Sequence, residues 1–262
     1  MRNFRRLAFA FVVVLAFCHA TAEGSGNGGG AMHFKPEEIM KFSKKVEATL
    51  AEKGARVAIV ARVGRPRNKL PRGIAYTHTG LAVYSQITTG DGRRVPGYAM
   101  YNLYQRSNKP NVSDLVQDYP VDFFAEVQVL EAGVIIPSPE LQKRLLQVIA
   151  SPTYRKLHNP YYSIIANPFK MDFQNCTGHT LDVIVAAIYQ TDDIGFIKAN
   201  EKAYFDPQSL DINPIKLALG SVLSSDVTTS DHSGRPATAT FETIGWFLTQ
   251  YDAASEILTI TP

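Results

Sequence analysis

The stretch Cys-Thr-Gly-His-Thr-Leu-Asp-Val-Ile-Val-Ala-Ala-Ile-Tyr, residues 176 to 189, decides the fold of this 262-residue chain. From Leu181 onward it is apolar nearly all round, and a helix of that composition is expected in the middle of a protein. Cys176 opens the helix, where free backbone N–H groups and partial positive charge can stabilise a thiolate and receive an oxyanion. The stretch therefore predicts a central helix and a candidate nucleophile.

Patterns on either side of this stretch predict a mixed α+β domain. Ile39, Phe42, Val46 and Leu50 recur at helical spacing, and the turn Thr-Gly-Asp-Gly at 89–92 joins two strand patterns. The predicted elements before Cys176 are a helix over 36–53, strands over 56–63, 74–86 and 96–105, extended segments over 121–136 and 162–168, and a helix capped by Ser138. After residue 190 we expect a turn-rich region over 192–235, with a helical stretch over 214–223, and a strand over 238–249. We expect an antiparallel meander packed against the buried helix.

The first 22 residues have the three parts of a secretory signal. Met1 to Arg6 is basic, 7–18 is apolar and 20–22 is small. An apolar run of about twelve residues is short for a bilayer span, so we expect cleavage after Ala22 and no transmembrane anchor. A flexible Gly-rich leader over 23–35 and a single domain over 36–262 follow. The protein is predicted to be periplasmic or secreted.

Loss of the signal also changes the charge. The chain has 27 basic and 24 acidic residues, and the signal contains three arginines and no acidic residue, which leaves 24 of each. A neutral chain lacks the clustered cations that drive nucleic-acid binding, so no nucleic-acid partner is expected. The remaining basic stretch, 62–72, contains Gly64, Pro66 and Pro71 and is predicted to be a solvated loop.

Cys18 is lost with the signal, so Cys176 becomes the single thiol of the predicted mature chain. An intramolecular disulfide is then impossible. In an oxidising compartment such a thiol is either buried and inert, paired with another molecule, or reactive. Its position at a helix N-terminus favours a reactive thiol.

A reactive thiol needs a base, and two histidines are the main candidates. His179 lies between Cys176 and Asp182, but side chains spread around one helix converge poorly on a single atom. His78 lies in the strand Tyr-Thr-His-Thr-Gly-Leu-Ala-Val-Tyr, 76–84, next to the small residues Gly80 and Ala82. The other histidines, His33, His158 and His232, lie in predicted loops or in the leader. We therefore favour His78 as the base.

The next strand offers two amides that could orient His78. A two-residue turn over 91–92 would pair residue 78 with Gln105, and a three-residue turn over 90–92 would put Asn102 diagonally beside it on the same face. The pattern leaves both alternatives open.

These residues resemble the circularly permuted branch of the NlpC-type papain-like superfamily, in which His precedes Cys. The likeness lies in His78 and Gly80 on a strand, a polar residue on the next strand, and Cys176 opening a buried helix. This branch includes lecithin:retinol acyltransferase, and the stretch 76–189 more closely resembles an uncharacterised family of exported bacterial proteins. The resemblance implies a papain-like fold with Cys176 as nucleophile, His78 as base, and Asn102 or Gln105 as the third group. It covers residues 36–190 and leaves the segment after 190 as an extension.

The leading hypothesis is a periplasmic thiol hydrolase, amidase or acyltransferase acting on cell-wall peptide amides or lipid acyl groups. The alternatives are a non-catalytic envelope-binding module on the same scaffold and a partner protein that uses Cys176 for an intermolecular disulfide. No His-Glu-x-x-His, Cys-x-x-Cys or dinucleotide motif occurs, so no metal and no cofactor are expected.

Overall fold

A computed structural model describes residues 32–211 and 227–262. These residues form a mixed α and β structure around an antiparallel sheet of six strands. The helices are α1 Pro36–Glu52, α2 Pro120–Phe123, α3 Pro139–Ala150, α4 Thr153–Lys156, α5 Cys176–Tyr189, α6 Ile194–Tyr204 and α7 Phe241–Tyr251. The strands are β1 Val57–Val63, β2 His78–Thr88, β3 Arg94–Arg106, β4 Lys109–Asp118, β5 Val129–Ile136, β6 Gln208–Ser209, β7 Ala237–Thr238 and β8 Glu256–Ile260.

The large sheet has the strand order β4-β3-β2-β1-β5-β8, and a short β6–β7 pair lies apart from it. Strand β1 is buried along its whole length because both of its faces are covered. On one face, Leu81 and Val83 of β2 pack with α3, α5 and α7, and on the other face Ala82 packs with α1 and α2. Side chains alternate along a strand, so neighbouring residues of β2 enter different cores.

The predicted α+β class and the antiparallel meander around a central helix are confirmed. Helix α5 begins at Cys176 and is buried on nearly all sides, as its composition predicts. The helix over 36–53 is also confirmed, because Ile39, Phe42, Val46 and Leu50 form the buried stripe of α1. The hydroxyl of Ser138 accepts a hydrogen bond from Leu141 N and caps α3.

The strand predicted over 238–249 is wrong, because this segment is the helix α7. Thr240 caps it by accepting a hydrogen bond from Thr243 N. Phe241, Ile244 and Leu248 then recur at helical spacing and are buried, while Trp246 is exposed. The period of 3.6 residues therefore overrides the β-forming composition of the segment.

Several elements were missing from the sequence prediction. The segment over 121–136 is not continuously extended, since α2 and a turn precede β5. The strands β4 and β8, at the two edges of the sheet, and the helix α6 were not predicted. Edge strands carry a weaker apolar pattern because fewer of their side chains are buried.

The predicted signal, most of the Gly-rich leader and the helical stretch over 214–223 lie outside the described residues. Among the residues that are described, no helix combines the length and the apolar character required to cross a bilayer.

Candidate active site

The start of α5 is held by a buried capping residue, Asn175. Its side-chain oxygen accepts hydrogen bonds from Gly178 N at 2.7 Å and from the Thr177 hydroxyl at 3.0 Å. Its amide nitrogen donates to Ile164 O and to the Thr238 hydroxyl, each at 3.0 Å. Because one side chain fixes the helix end and two neighbouring segments, Cys176 at the first helical position is held rigidly.

The thiol of Cys176 is buried, with the residue 7% exposed, and lies against the beginning of β2. The backbone N–H of Thr79 lowers the pKa of the thiol, as do the N–H groups of Cys176 and Thr177 at the helix N-terminus. Thr79 directly follows His78 in β2. The fold therefore brings the candidate nucleophile and the candidate base, 98 positions apart in the chain, to the same end of the sheet.

The register of β2 and β3 selects between the two amides. Leu81 pairs with Tyr101 and Thr88 with Arg94, so the turn has three residues, 90–92, and His78 does not pair with Gln105. Asn102 lies diagonal to His78 on the same face, and its Oδ1 is 3.3 Å from His78 Nε2. Of the two predicted alternatives, the contact with Asn102 is the one present.

Gln105 has a different environment. It is out of phase with Asn102 along β3, so its side chain leaves the opposite face of the strand. Its amide nitrogen donates to Pro110 O at 2.7 Å, which ties the β3–β4 turn. Gln105 makes no hydrogen bond to His78 within the described part of the chain.

A buried carboxyl fixes the orientation of Asn102. Asn102 Nδ2 donates to Asp118 Oδ1 at 2.7 Å, and the Tyr104 hydroxyl donates to Asp118 Oδ2 at 2.9 Å. The amide oxygen of Asn102 therefore faces His78, and His78 Nε2 must carry the hydrogen that it donates. In the neutral imidazole the basic lone pair is then on Nδ1.

Two aromatic rings pack against the imidazole of His78. Tyr104 stacks on the imidazole with a centroid distance of 4.8 Å and an interplanar angle of 15°, and Phe123 lies at 5.5 Å. Gly80 leaves the space that Asn102 occupies, because a Cβ there would lie 2.2 Å from Asn102 Oδ1. The contact between Asn102 and His78 therefore requires a residue without a side chain two positions after His78.

Burial determines the resting charges of the pair. It raises the pKa of the Cys176 thiol, and the surrounding N–H groups and the charge of Arg62 only partly oppose this effect. It lowers the pKa of His78 well below the usual value, and Arg62 lowers it further. The expectation that the helix N-terminus lowers the thiol pKa is thus wrong: desolvation outweighs the helix dipole. The thiol and the imidazole are therefore both neutral at rest.

The comparisons with known proteins identify a family. The model of the family described as "Uncharacterized protein conserved in bacteria (DUF2145)" matches residues 49–248. The chain belongs to this family. The matched range includes Cys176, His78, Asn102 and Asp118.

One solved structure is similar to this DUF2145 protein, and no curated protein matches it. The structure is titled "Crystal structure of metalloprotein yiiX from Escherichia coli O157:H7, DUF1105". It is 15% identical, the alignment covers 79% of this chain and 98% of that chain, and the TM-score is 0.45.

In the part of the DUF2145 chain that the structure describes, no group of three or more His, Cys, Asp or Glu side chains gathers in a geometry suited to an ion. His232 instead contacts Ile165 O at 2.9 Å, and His158 contacts the Ser113 hydroxyl at 3.1 Å.

His179 is buried inside the helix packing, away from hydrogen-bonding contact with Asp182. Its ring meets that of Tyr154 edge-on at 5.0 Å, and burial lowers its pKa to about 3. Asp182 instead accepts a hydrogen bond from Gln174 Nε2 at 2.7 Å and pairs with Lys198 of α6. The three side chains of the Cys-x-x-His-x-x-Asp sequence on α5 thus lie in three different environments.

Arg62, like Asp118 and Tyr104, is a site residue that the sequence did not indicate. It belongs both to the predicted strand over 56–63 and to the basic stretch over 62–72 that is predicted to be solvated. It lies in β1, is only 5% exposed, and donates from Nη1 to Phe123 O at 2.6 Å. Its guanidinium lies over the rings of Tyr104 and Phe123, with centroid distances of 5.8 and 5.3 Å. A signal was available, because Arg62 continues the buried strand pattern over 57–63 before the Gly and Pro residues begin.

Proposed function

We propose that this protein is a thiol hydrolase, amidase or acyltransferase in which Cys176 is the nucleophile, His78 the general base and Asn102 the positioning residue. The observation that carries the proposal is that the N–H of Thr79 acts on the Cys176 thiol, while the preceding residue, His78, contacts Asn102 through Nε2. A nucleophile, a base and an orienting group in this order are the requirements of nucleophilic acyl transfer.

The resting charges define the first step. Because both groups are neutral, the thiol hydrogen passes to His78 Nδ1 as the sulfur attacks the acyl carbon, rather than before substrate binds. The carbonyl oxygen gains negative charge near the N–H groups of Cys176 and Thr177, which act as the oxyanion site. The imidazolium then returns the proton to the departing amine or alcohol, and a thioester remains on Cys176.

The second step releases the acyl group. Water, or an acceptor hydroxyl or amine in an acyltransferase, gives its proton to His78 Nδ1 and attacks the thioester carbon. The C–S bond breaks, and the proton returns to the sulfur. Asn102 contacts only Nε2 and so keeps the ring oriented through both steps.

The papain-like fold in its permuted NlpC form is part of this proposal. It is supported by the chain order of His78 before Cys176, by the helix that begins at the thiol, and by the antiparallel sheet that carries the histidine. Export to the periplasm or the cell exterior, based on residues 1–22, makes cell-wall peptide amides and lipid acyl groups the proposed substrates.

A non-catalytic binding module on the same scaffold is the second candidate. The raised pKa of the Cys176 thiol and its burial favour it, because a protonated, buried thiol is a weak nucleophile without assistance. The two candidates differ in whether His78 accelerates the chemistry of the sulfur.

The deciding experiment is alkylation of Cys176 by iodoacetamide over pH 5 to 10 in the chain without residues 1–22, where it is the single thiol. General-base assistance predicts that His78→Gln slows the reaction at pH 7 by about a hundredfold. His158→Gln is the matched control and should leave the rate unchanged. An ordinary thiol profile near pH 8.5 that is indifferent to His78→Gln would exclude the mechanism.

Substrate classes are then separated by product release. Peptidoglycan fragments and long-chain acyl esters are incubated with the wild-type chain and with Cys176→Ala. Release by the wild-type chain alone supports catalysis and identifies the class. Equal ligand retention by both chains, with no release, supports the binding module.

A further inference from the structure

A small cavity lies next to the candidate base. It has a volume of about 60 Å3, and it is bounded by residues from β1, β2, β3 and the segment before β5. The polar side chains that line it include Arg62, His78, Gln105, Glu126 and Gln128. His78 and Arg62 line the cavity, and the charge of Arg62 also acts on the Cys176 thiol, so the cavity adjoins the proposed reaction centre.

Arg62 forms no salt bridge with any described residue, and its charge acts on the carboxyls of Asp118 and Glu126 only at longer range. The residue is only 5% exposed, and the hydrogen bond that its Nη1 donates goes to a carbonyl oxygen. Its Nε has no hydrogen-bond partner among the described residues. Leaving a buried cation unpaired is costly, and a guanidinium suits a carboxylate because its donors form a planar fork.

We propose that this cavity binds a carboxylate of the substrate and that Arg62 is the residue that recognises it. The inference rests on the proposed function, because it assigns the substrate of Cys176 to carboxylate-bearing acyl compounds. The cavity has room for a carboxylate and a few further atoms. The carboxylate of the proposed substrate would therefore lie close to the bond that is cleaved.

Glu126 is the acidic side chain in the wall of the cavity. It is not ion-paired with Arg62, and burial raises its pKa. When it is ionised, Glu126 repels a substrate carboxylate, and the attraction of Arg62 must outweigh this repulsion. Glu126 therefore supplies an internal test, since its removal should strengthen anion binding and removal of Arg62 should weaken it.

The experiment compares iodoacetate with iodoacetamide, which differ in charge but have nearly the same shape. The measured quantity is the ratio of their second-order rates with Cys176 at pH 7. We expect Arg62→Gln to lower this ratio about tenfold, Arg62→Lys to retain most of it, and Glu126→Gln to raise it. Arg67→Gln is the control, because Arg67 is a half-exposed cation paired with Glu131 outside the cavity.

A second measurement needs no variant. Propionate should protect wild-type Cys176 from iodoacetamide at concentrations where propionamide does not. Equal protection, or a rate ratio unchanged by both Arg62→Gln and Glu126→Gln, overturns the carboxylate site. The proposed thiol chemistry is judged separately by His78→Gln, so a reactive, His78-dependent thiol with an unchanged ratio would reject only the carboxylate inference.

Discussion

At the scale of single residues, the site depends on which atom of each side chain faces its neighbour. Asp118 fixes the amide of Asn102, the amide fixes the hydrogen on His78 Nε2, and the basic lone pair is left on Nδ1. While Asp118 is ionised, each link is a hydrogen bond with one possible donor, so the chain of contacts sets a tautomer rather than only a position.

The contact with Asn102 can be tested against Gln105 as a matched amide on the same strand. We expect Asn102→Ala to slow alkylation of Cys176 at pH 7 about tenfold, because the imidazole loses the partner that orients it. Gln105→Ala should change the rate less than twofold, since its amide binds Pro110 O. Equal effects of the two variants would contradict the assigned role.

Asp118 predicts a pH dependence of stability. Burial raises its pKa to about 7, so the folded state holds the proton more tightly than the unfolded state. Its stabilising contribution is present at pH 4 and is lost as the pH rises through 7. His78 and His179 act in the opposite direction, because their pKa values are lowered and they favour the folded state at high pH.

The difference in unfolding free energy between the wild type and Asp118→Asn isolates this contribution. Measured by urea unfolding, it should fall by on the order of 3 kcal/mol from pH 4 to pH 8. Asp114→Asn is the control on the same strand: Arg106 lowers the pKa of Asp114, so the trend should have the opposite sign. A difference that is constant with pH would contradict the raised pKa.

At the scale of elements, the site needs β2 and β3 to approach closely at one position. Gly80 provides this approach, because a Cβ there would overlap Asn102 Oδ1 and come within 3.3 Å of Phe123. The overlapping atom is the end of a side chain, so the sheet can form while Asn102 is displaced.

We therefore expect Gly80→Ala to fold and to lose about 1–3 kcal/mol of unfolding free energy. Its alkylation rate at Cys176 should fall to the level of Asn102→Ala, because both variants remove the same contact. Gly90→Ala, in the open turn with no atom near the added methyl group, should affect neither measurement. Wild-type reactivity in Gly80→Ala would show that the close approach does not position Asn102.

At the scale of the whole molecule, α5 is anchored by a buried ionic cluster behind the site. Lys198 of α6 pairs with Asp182 of α5 and with Glu201 at 3.0 Å, and it donates to Pro168 O at 2.8 Å. Both carboxylates are almost fully buried. The cluster ties the helix that begins at Cys176 to α6 and to the loop that precedes it.

Lys198→Met leaves two buried carboxylates without a cation. We expect a loss of about 3–5 kcal/mol of unfolding free energy at pH 7. The loss should be smaller at pH 4, because the pKa of Glu201 is raised well above its usual value and its carboxyl is then neutral. Lys202→Met is the control, because Lys202 follows Glu201 on the same helix and is exposed. It should change the unfolding free energy by less than about 0.5 kcal/mol. Similar losses in both variants would contradict the structural role of the cluster.

The sequence by itself determined the helix over 176–189, its opening thiol, the helix over 36–53, and the strand that carries His78. These features are local, since apolar period and end-capping residues are properties of adjacent positions. The sequence does not indicate α7, whose β-forming composition masks a helical period, or β4 and β8, whose half-exposed edge positions carry little pattern.

Only the tertiary structure decided which residues meet. A one-residue difference in turn length changes the register of β2 and β3. The observed register brings Asn102, rather than Gln105, into contact with His78. Pairing of β3 with β4 brought Asp118 behind Asn102, and burial gave Arg62 and the Cys176 thiol environments unlike those expected from their neighbours in the chain. Desolvation depends on everything packed around a group, so the charge states of this site followed from the fold and not from the sequence pattern.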